Sequence, residues 1–458
     1  MYDVVANSAE VVAAVLGIAV TVVAIIVELA ATRYNHRITT LFVREPKNIA
    51  VLTFFVLTVL LCIWVSATTS PDSGTIWHAI TLTMISASLL MLLPYFAYVF
   101  AFISPLSVIR HISALAVKAL DRPDISRSRH VVIDSVDELQ DVLRSAIDAG
   151  DRDIAMEAVY GLSGLLERYT DVRSTLSPEW FELHPTIAAD PDFVSLEDSA
   201  LERIDEAHSW LEYKVFSQLH VAVGLSIPRL RDVANLISIR TRHLALADQA
   251  NSALFETAMM SFNSYLRTTI NARDPRTAYY ILSQYRMVAE ALVADGEHDE
   301  VRTIASRLEY YGQLGHQLGQ PFILEVCAYD SVQLLERYLE QPESAGRDAG
   351  IHSLVTSLLK LDRPFRDEAQ QSSSVGVRRA QIRAATALLA AEQSELVGLV
   401  VEDLAQESQL SIGALIDELA EVEESHYWEL TPRGVNFAYL GDSQRAQLPA
   451  LRALISKP

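Results

Sequence analysis

Residues 11–31 read VVAAVLGIAVTVVAIIVELAA, an unbroken apolar run that carries one acid, Glu28. About twenty helical residues at a rise of about 1.5 Å each match a hydrocarbon core about 30 Å thick, so a membrane-spanning helix is the physical default for this stretch. Two more apolar runs follow at 49–67 and 76–103. They predict a transmembrane domain over residues 1–105, with the lipid bilayer as the first partner of the chain.

At the spacing of a helix seam, the first run places Glu10, Ala14, Gly17, Thr21, Ala24 and Glu28 on one face, with Leu16, Val20, Val23 and Val27 largely on the other. Small residues let helix backbones approach closely, and a hydroxyl or carboxylate among them seeks a partner helix or a water-filled cavity. Gly17, Thr21 and Glu28 are therefore expected to form a packing seam inside a three-helix bundle or, alternatively, the lining of a pore. In the third run Thr81, Ser88 and Tyr95 recur at heptad spacing, and Pro94 removes a helix hydrogen bond.

Orientation follows from the basic residues. Arg33, Arg37, Arg44 and Lys47 follow the first run, whereas Asp3 and Glu10 precede or open it; Arg110, Lys118, Arg122, Arg127 and Arg129 follow the third. Cationic flanks mark the cytoplasmic side, which predicts a multi-pass protein of the inner membrane with its N-terminus outside. The first ten residues lack the basic flank of a cleavable leader, so the first run is expected to persist as an anchor. Residues 106–132 read as a juxtamembrane amphipathic helix, with Val108, Ile112, Leu115 and Ala119 at helical period, followed by a polar linker around Pro123.

From about Ile133 to 458 the apolar period is helical throughout, giving an expected all-α fold with a large cytoplasmic domain. Three stretches, beginning at Ala146, Leu292 and Leu388, share one pattern of apolar helix, short acidic turn and second helix, which suggests helical hairpins arranged as an irregular solenoid or bundle. Residues 177–198, with three prolines and clustered acids, read as a long loop. Asp274 followed by Pro275 is a helix start signal, and Tyr279, Tyr280 and Tyr285 line the helix that follows.

The formal net charge of −21 argues against a nucleic-acid partner. Two cysteines, Cys62 and Cys327, form no metal-ligand spacing, and the sequence holds none of the spacings of a P-loop, a zinc protease, a nucleophile elbow or a calcium loop. No enzyme, cofactor or metal is expected. The nearest metal-like cluster, Glu421, Glu424 and His426, reads as a solvated helix end, the acids Asp148, Asp151 and Asp153 as a hairpin turn, and Arg229, Arg231, Arg240 and Arg242 as internal salt-bridge partners.

Two segments, VVAIIVELAATRYNHRITTLFVREPKNIAVLTFFVLTVLLCIWV and INARDPRTAYYILSQYRMVAEAL followed by YYGQLGHQLGQPFILEVCAYD, resemble the bacterial predicted-membrane-protein family known as domain of unknown function 2254. The resemblance extends over most of residues 10–340. It implies a membrane domain and a helical soluble domain, and it singles out the turn of Arg273, Asp274 and Arg276, beside Tyr280, as a ligand or partner surface. The functional expectation is a membrane-anchored scaffold or sensor that binds a cytoplasmic protein partner; the alternative is a homo-oligomeric cation channel lined by the first span.

Overall fold

The computed structural model describes residues 2–33, 45–68, 75–247, 252–344, 346–365, 375–407 and 409–456. Most of them are helical, with turns, coil and one isolated antiparallel bridge between His426 and Val435. The chain divides into two compact units, Met1–Trp180 and Phe181–Pro458.

The first unit holds α1 (Tyr2–Arg33), α2 (Pro46–Thr68), α3 (Thr75–Ile103), α4 (Pro105–Leu120), α5 (Ile125–Ala149) and α6 (Arg152–Val172). Among the described residues two helical stretches are long and apolar enough to cross a bilayer, Pro46–Val65 and Ile76–Ala101; that of α1, Glu10–Ile25, is shorter. Large apolar side chains such as Trp64, Leu90, Leu93 and Phe100 are exposed on α2 and α3, as lipid-facing positions require. The basic flank at 34–44 and the short connection at 69–74 lie outside the described residues.

Within the chain, α1 packs through a different face from the expected seam. Its buried residues are Val12, Ala19, Val23 and Val27. Val23 and Val27 cluster with Tyr95 and Val99 of α3, and Val12 clusters with Cys62 and Ile85. Ala14, Gly17, Thr21, Ala24 and Glu28 are exposed instead, and a Cβ on Gly17 would meet nothing within 4 Å. The polar demand of the bundle is met elsewhere, by the heptad series of α3: Ser88 Oγ donates to Thr58 Oγ1 at 3.2 Å, and the Tyr95 hydroxyl donates to Asn48 Oδ1 at 2.6 Å. With those groups satisfied between α2 and α3, branched apolar side chains of α1 fill the remaining space, and its small polar face turns outward. Helix α3 continues through Pro94.

The amphipathic segment after α3 is present as α4, and it packs against α5 and α6, burying Val108, Ile109, Ile112 and Ala116. Its apolar face thus covers protein. The polar linker expected near Pro123 is a tight turn, after which Asp124 caps α5 by accepting the Arg127 N–H at 3.1 Å.

The second unit contains α7 (Trp210–Ser226), α8 (Arg231–Ala247), α9 (Ser252–Asn271), α10 (Pro275–Asp295), α11 (His298–Gln317), α12 (Pro321–Leu339), α13 (Arg347–Lys360), α14 (Val375–Ala390), α15 (Ser394–Leu404) and α16 (Gln409–Glu421). Residues 177–198 include helical turns at Pro178–Phe181 and Pro185–Ala188. Lys214, without exposed surface, holds Asp190 and Asp192 of this stretch at 2.9 and 2.8 Å.

One turn recurs along the chain. Gly150, His208, Arg273, Gly296, Gly319 and Glu392 adopt positive φ. In each case the next residue donates its N–H to the carbonyl five positions back: Asp151 to Ala146, Ser209 to Ile204, Asp274 to Thr269, Glu297 to Leu292, Gln320 to Gly315 and Gln393 to Leu388, at 2.8–3.0 Å. This bond satisfies a carbonyl orphaned at the helix end, and the residue that makes it is the cap of the following helix. The three hairpins read from the sequence close on Gly150, Gly296 and Glu392.

Close approach of α11 and α12 depends on Gly315, where a Cβ would fall 2.6 Å from Ile323 Cβ. Ile323 is fully buried and cannot retreat. Gly315→Ala is expected to lower stability by about 1–3 kcal/mol through overpacking, despite a helix-propensity gain of about 1 kcal/mol. Gly164→Ala in α6, where nothing lies within 4 Å, should instead raise it by about 0.5–1 kcal/mol. Thermal unfolding of the two variants in one detergent should move in opposite directions; destabilisation by both would refute the packing account.

Candidate functional site at two helix starts

Helices α8 and α10 begin side by side. Pro275 occupies the first turn of α10, where its missing N–H costs nothing, and Asp274 caps it by accepting the Thr277 N–H at 3.3 Å. The same carboxylate accepts the Thr277 hydroxyl at 2.7 Å and Arg231 Nε at 2.9 Å. One buried acid therefore ties the two helix starts together. Burial alone would raise the Asp274 carboxyl, but the hydrogen bonds from Thr277 and Arg231 outweigh it and hold the group below the ordinary carboxylate value.

A cavity of about 530 Å³ opens at this junction, lined by Arg229, Arg231, Asp232, Asn235, Arg276 and Tyr280, with Leu430, Thr431 and Pro432 forming its far wall. Arg231 is half-exposed, and Arg276 is exposed with no ion-pair partner among the described residues. The Asn235 carboxamide oxygen is buried without a hydrogen-bond partner. Tyr280 contributes a partly buried ring, and burial pushes its phenol up against the opposing pull of Arg242. The arrangement presents three arginines against one acid, Asp232, which has a partner of its own, with one unmatched acceptor and an apolar rim.

The far wall belongs to the coil 422–441, which is fixed by Arg433. That side chain is ion-paired with Asp330, a residue without exposed surface, donates to the Tyr279 carbonyl at 2.8 Å and lies 4.3 Å over the Tyr279 ring centroid. Burial would lower the Arg433 guanidinium, but the Asp330 carboxylate beside it wins and raises it. Phe437 completes the attachment by stacking on Tyr329 at 3.9 Å between centroids. Trp428 and Leu430, 78% and 105% exposed, stand out from this otherwise fastened coil.

Of the residues singled out in the sequence, Asp274, Arg276 and Tyr280 meet at this junction, whereas Arg273 opens on a different hollow beside Gly319 and Phe322. Arg229 and Arg231, read as ordinary salt-bridge partners, line the cavity. The wall residues Leu430 to Pro432 were not singled out, because nothing local in a coil signals what it packs against 150 residues away. Glu421, Glu424 and His426 are exposed, and no group of three possible ligands for a metal occurs among the described residues. Gly17, Thr21 and Glu28 lie in the other unit, on the outward face of α1.

Asp274→Asn should cost about 1–2 kcal/mol at neutral pH, since an amide can still cap α10 but no longer offers Arg231 a charge. Because the folded carboxyl is depressed, its stabilisation is fully present above the ordinary carboxylate pKa and fades as pH falls through the lower folded value. Unfolding midpoints of parent and variant should therefore differ at neutral pH and converge in acid; a constant gap would contradict the charge assignment.

No curated protein matches the chain, and no solved structure does. The expected family is found over a shorter stretch than its resemblance suggested: residues 1–152, which carry both helices able to cross a bilayer, match the family model described as predicted membrane protein (DUF2254).

Proposed function

We propose that the chain is a non-catalytic, membrane-anchored sensor or scaffold that takes its ligand or protein partner at the junction of α8 and α10. The observation that carries this reading is the cavity of Arg229, Arg231, Arg276 and Tyr280, held open between rigid helix starts in a protein whose first unit has two bilayer-length helices. In this reading α1 also spans the bilayer, as the first of three spans, its apolar stretch extending past Ile25 to Ala31, and the basic residues after the first and third spans keep the second unit in the cytoplasm. A photo-crosslinking side chain in place of Tyr280, in the full chain in intact cells, should yield an adduct that Arg276→Glu suppresses. Absence of any adduct there, with the chain retained in membranes, would remove the reading.

A second reading, a homo-oligomeric cation channel, is favoured by the outward face of α1. Gly17, Thr21 and Glu28 are not consumed by packing within the chain, so copies meeting on this face would set a ring of Glu28 carboxylates around a pathway and favour cations. Glu28→Gln should then reduce cation conductance several-fold in planar bilayers. A parent protein without conductance, or conductance indifferent to Glu28→Gln, rejects the channel.

A further inference from the structure

We infer that the cavity between α8, α10 and the coil 422–441 binds a phosphoryl group, an assignment that rests on this cavity being the ligand site proposed above. Three arginines line it from two separate turns, Arg229 and Arg231 from the start of α8 and Arg276 from the start of α10, and they outnumber its one acid, Asp232. Arg231 is engaged through Nε with Asp274, which fixes the side chain while its two terminal nitrogens keep their donors. Arg276 has no anion to satisfy it among the described residues. In a protein with a net charge of −21 the long-range field repels anions, so attraction here must come from short, directional bonds of the kind a guanidinium fork makes to oxyanions.

A phosphoryl group fits this geometry better than a carboxylate does. Two oxygens suffice for one fork, but donors converging from two turns call for a group with three or more acceptor oxygens and up to two charges. The remaining surface describes the rest of the ligand: the Tyr280 ring and Leu430 offer apolar contact, and the unmatched Asn235 oxygen calls for a donor. A volume of about 530 Å³ exceeds what a bare ion needs. Phosphate esters of soluble metabolites and lipid headgroups share this chemistry; for the second source, Trp428 and Leu430 stand exposed beside the cavity and would enter the bilayer interface.

The full chain in phosphatidylcholine nanodiscs, titrated with pyrophosphate, should bind it with a rise in unfolding midpoint. Arg276→Gln, at an exposed position that leaves the Asp274 hydrogen bonds intact, should weaken binding about tenfold or more, and Arg276→Lys should restore only part of it. Discs containing phosphatidic acid separate the sources. Stabilisation by those discs, reversed by pyrophosphate or lost in Trp428→Ala, supports the assignment with a lipid headgroup as source; stabilisation by pyrophosphate alone supports it with a soluble ester. Equal binding by parent and Arg276→Gln overturns the assignment, as does failure of both probes at millimolar concentration. If citrate then binds in an Arg276-dependent manner, the phosphoryl assignment falls while the ligand site stands; if no anion binds and Tyr280 gives no adduct, both fall.

Discussion

Asp330 has no exposed surface, and the second unit is arranged around keeping its charge matched. Arg433 pairs with it from the coil 422–441, and Arg286 Nε of α10 approaches it at 3.3 Å. A buried carboxylate stripped of such partners costs several kcal/mol, so the pairing fixes both the position of α12 relative to α10 and the path of the coil. The cavity follows from this. Its near wall is the capped start of α10, its far wall is the coil, and the two stay apposed because one acid holds a residue from each. Similar clusters recur away from the cavity: Arg378, 3% exposed in its side chain, joins Asp362 and Asp403 at 2.8 and 3.1 Å.

Much of this architecture was legible in the sequence. The helical period, the Asp274–Pro275 start and the hairpins near residues 146, 292 and 388 are local signals, decided by residues within a few positions of one another, and they appear as read. Less legible was which distant residue each group meets. The small-residue face of α1 looked like a seam, yet whether a face packs depends on what the neighbours offer, and the hydroxyls of α3 had already found Thr58 and Asn48. Arg229 and Arg231 read as internal salt-bridge partners, as Arg231 is, but the sequence did not point to Asp274, over forty residues away, as its acid. Arg433 carried no signal at all, since an arginine in a coil reads the same whether it is solvated or buried against an acid.

The six shared turns also place a limit on the chain. Glycine occupies three of the positive-φ positions at little cost, but His208, Arg273 and Glu392 hold a conformation that disfavours an L side chain by about 1–2 kcal/mol. At Arg273 the strain sits one residue before the cap that organises the cavity. The backbone therefore tolerates a side chain there against its own preference, and the guanidinium it carries opens on the hollow beside Phe322.

The bonds of Arg433 have a consequence for the order in which the molecule comes into being. The hairpins are local, each closing with its own turn, so a chain emerging from the ribosome can form them in sequence. The partners of Arg433, by contrast, lie 103 and 154 residues earlier in the chain. The second unit can thus be nearly all helix, and its guanidinium groups in place, while the cavity still lacks a wall. A chain cut short before the coil would retain the cationic helix starts as an open surface, and the two-walled site belongs to the finished polypeptide alone.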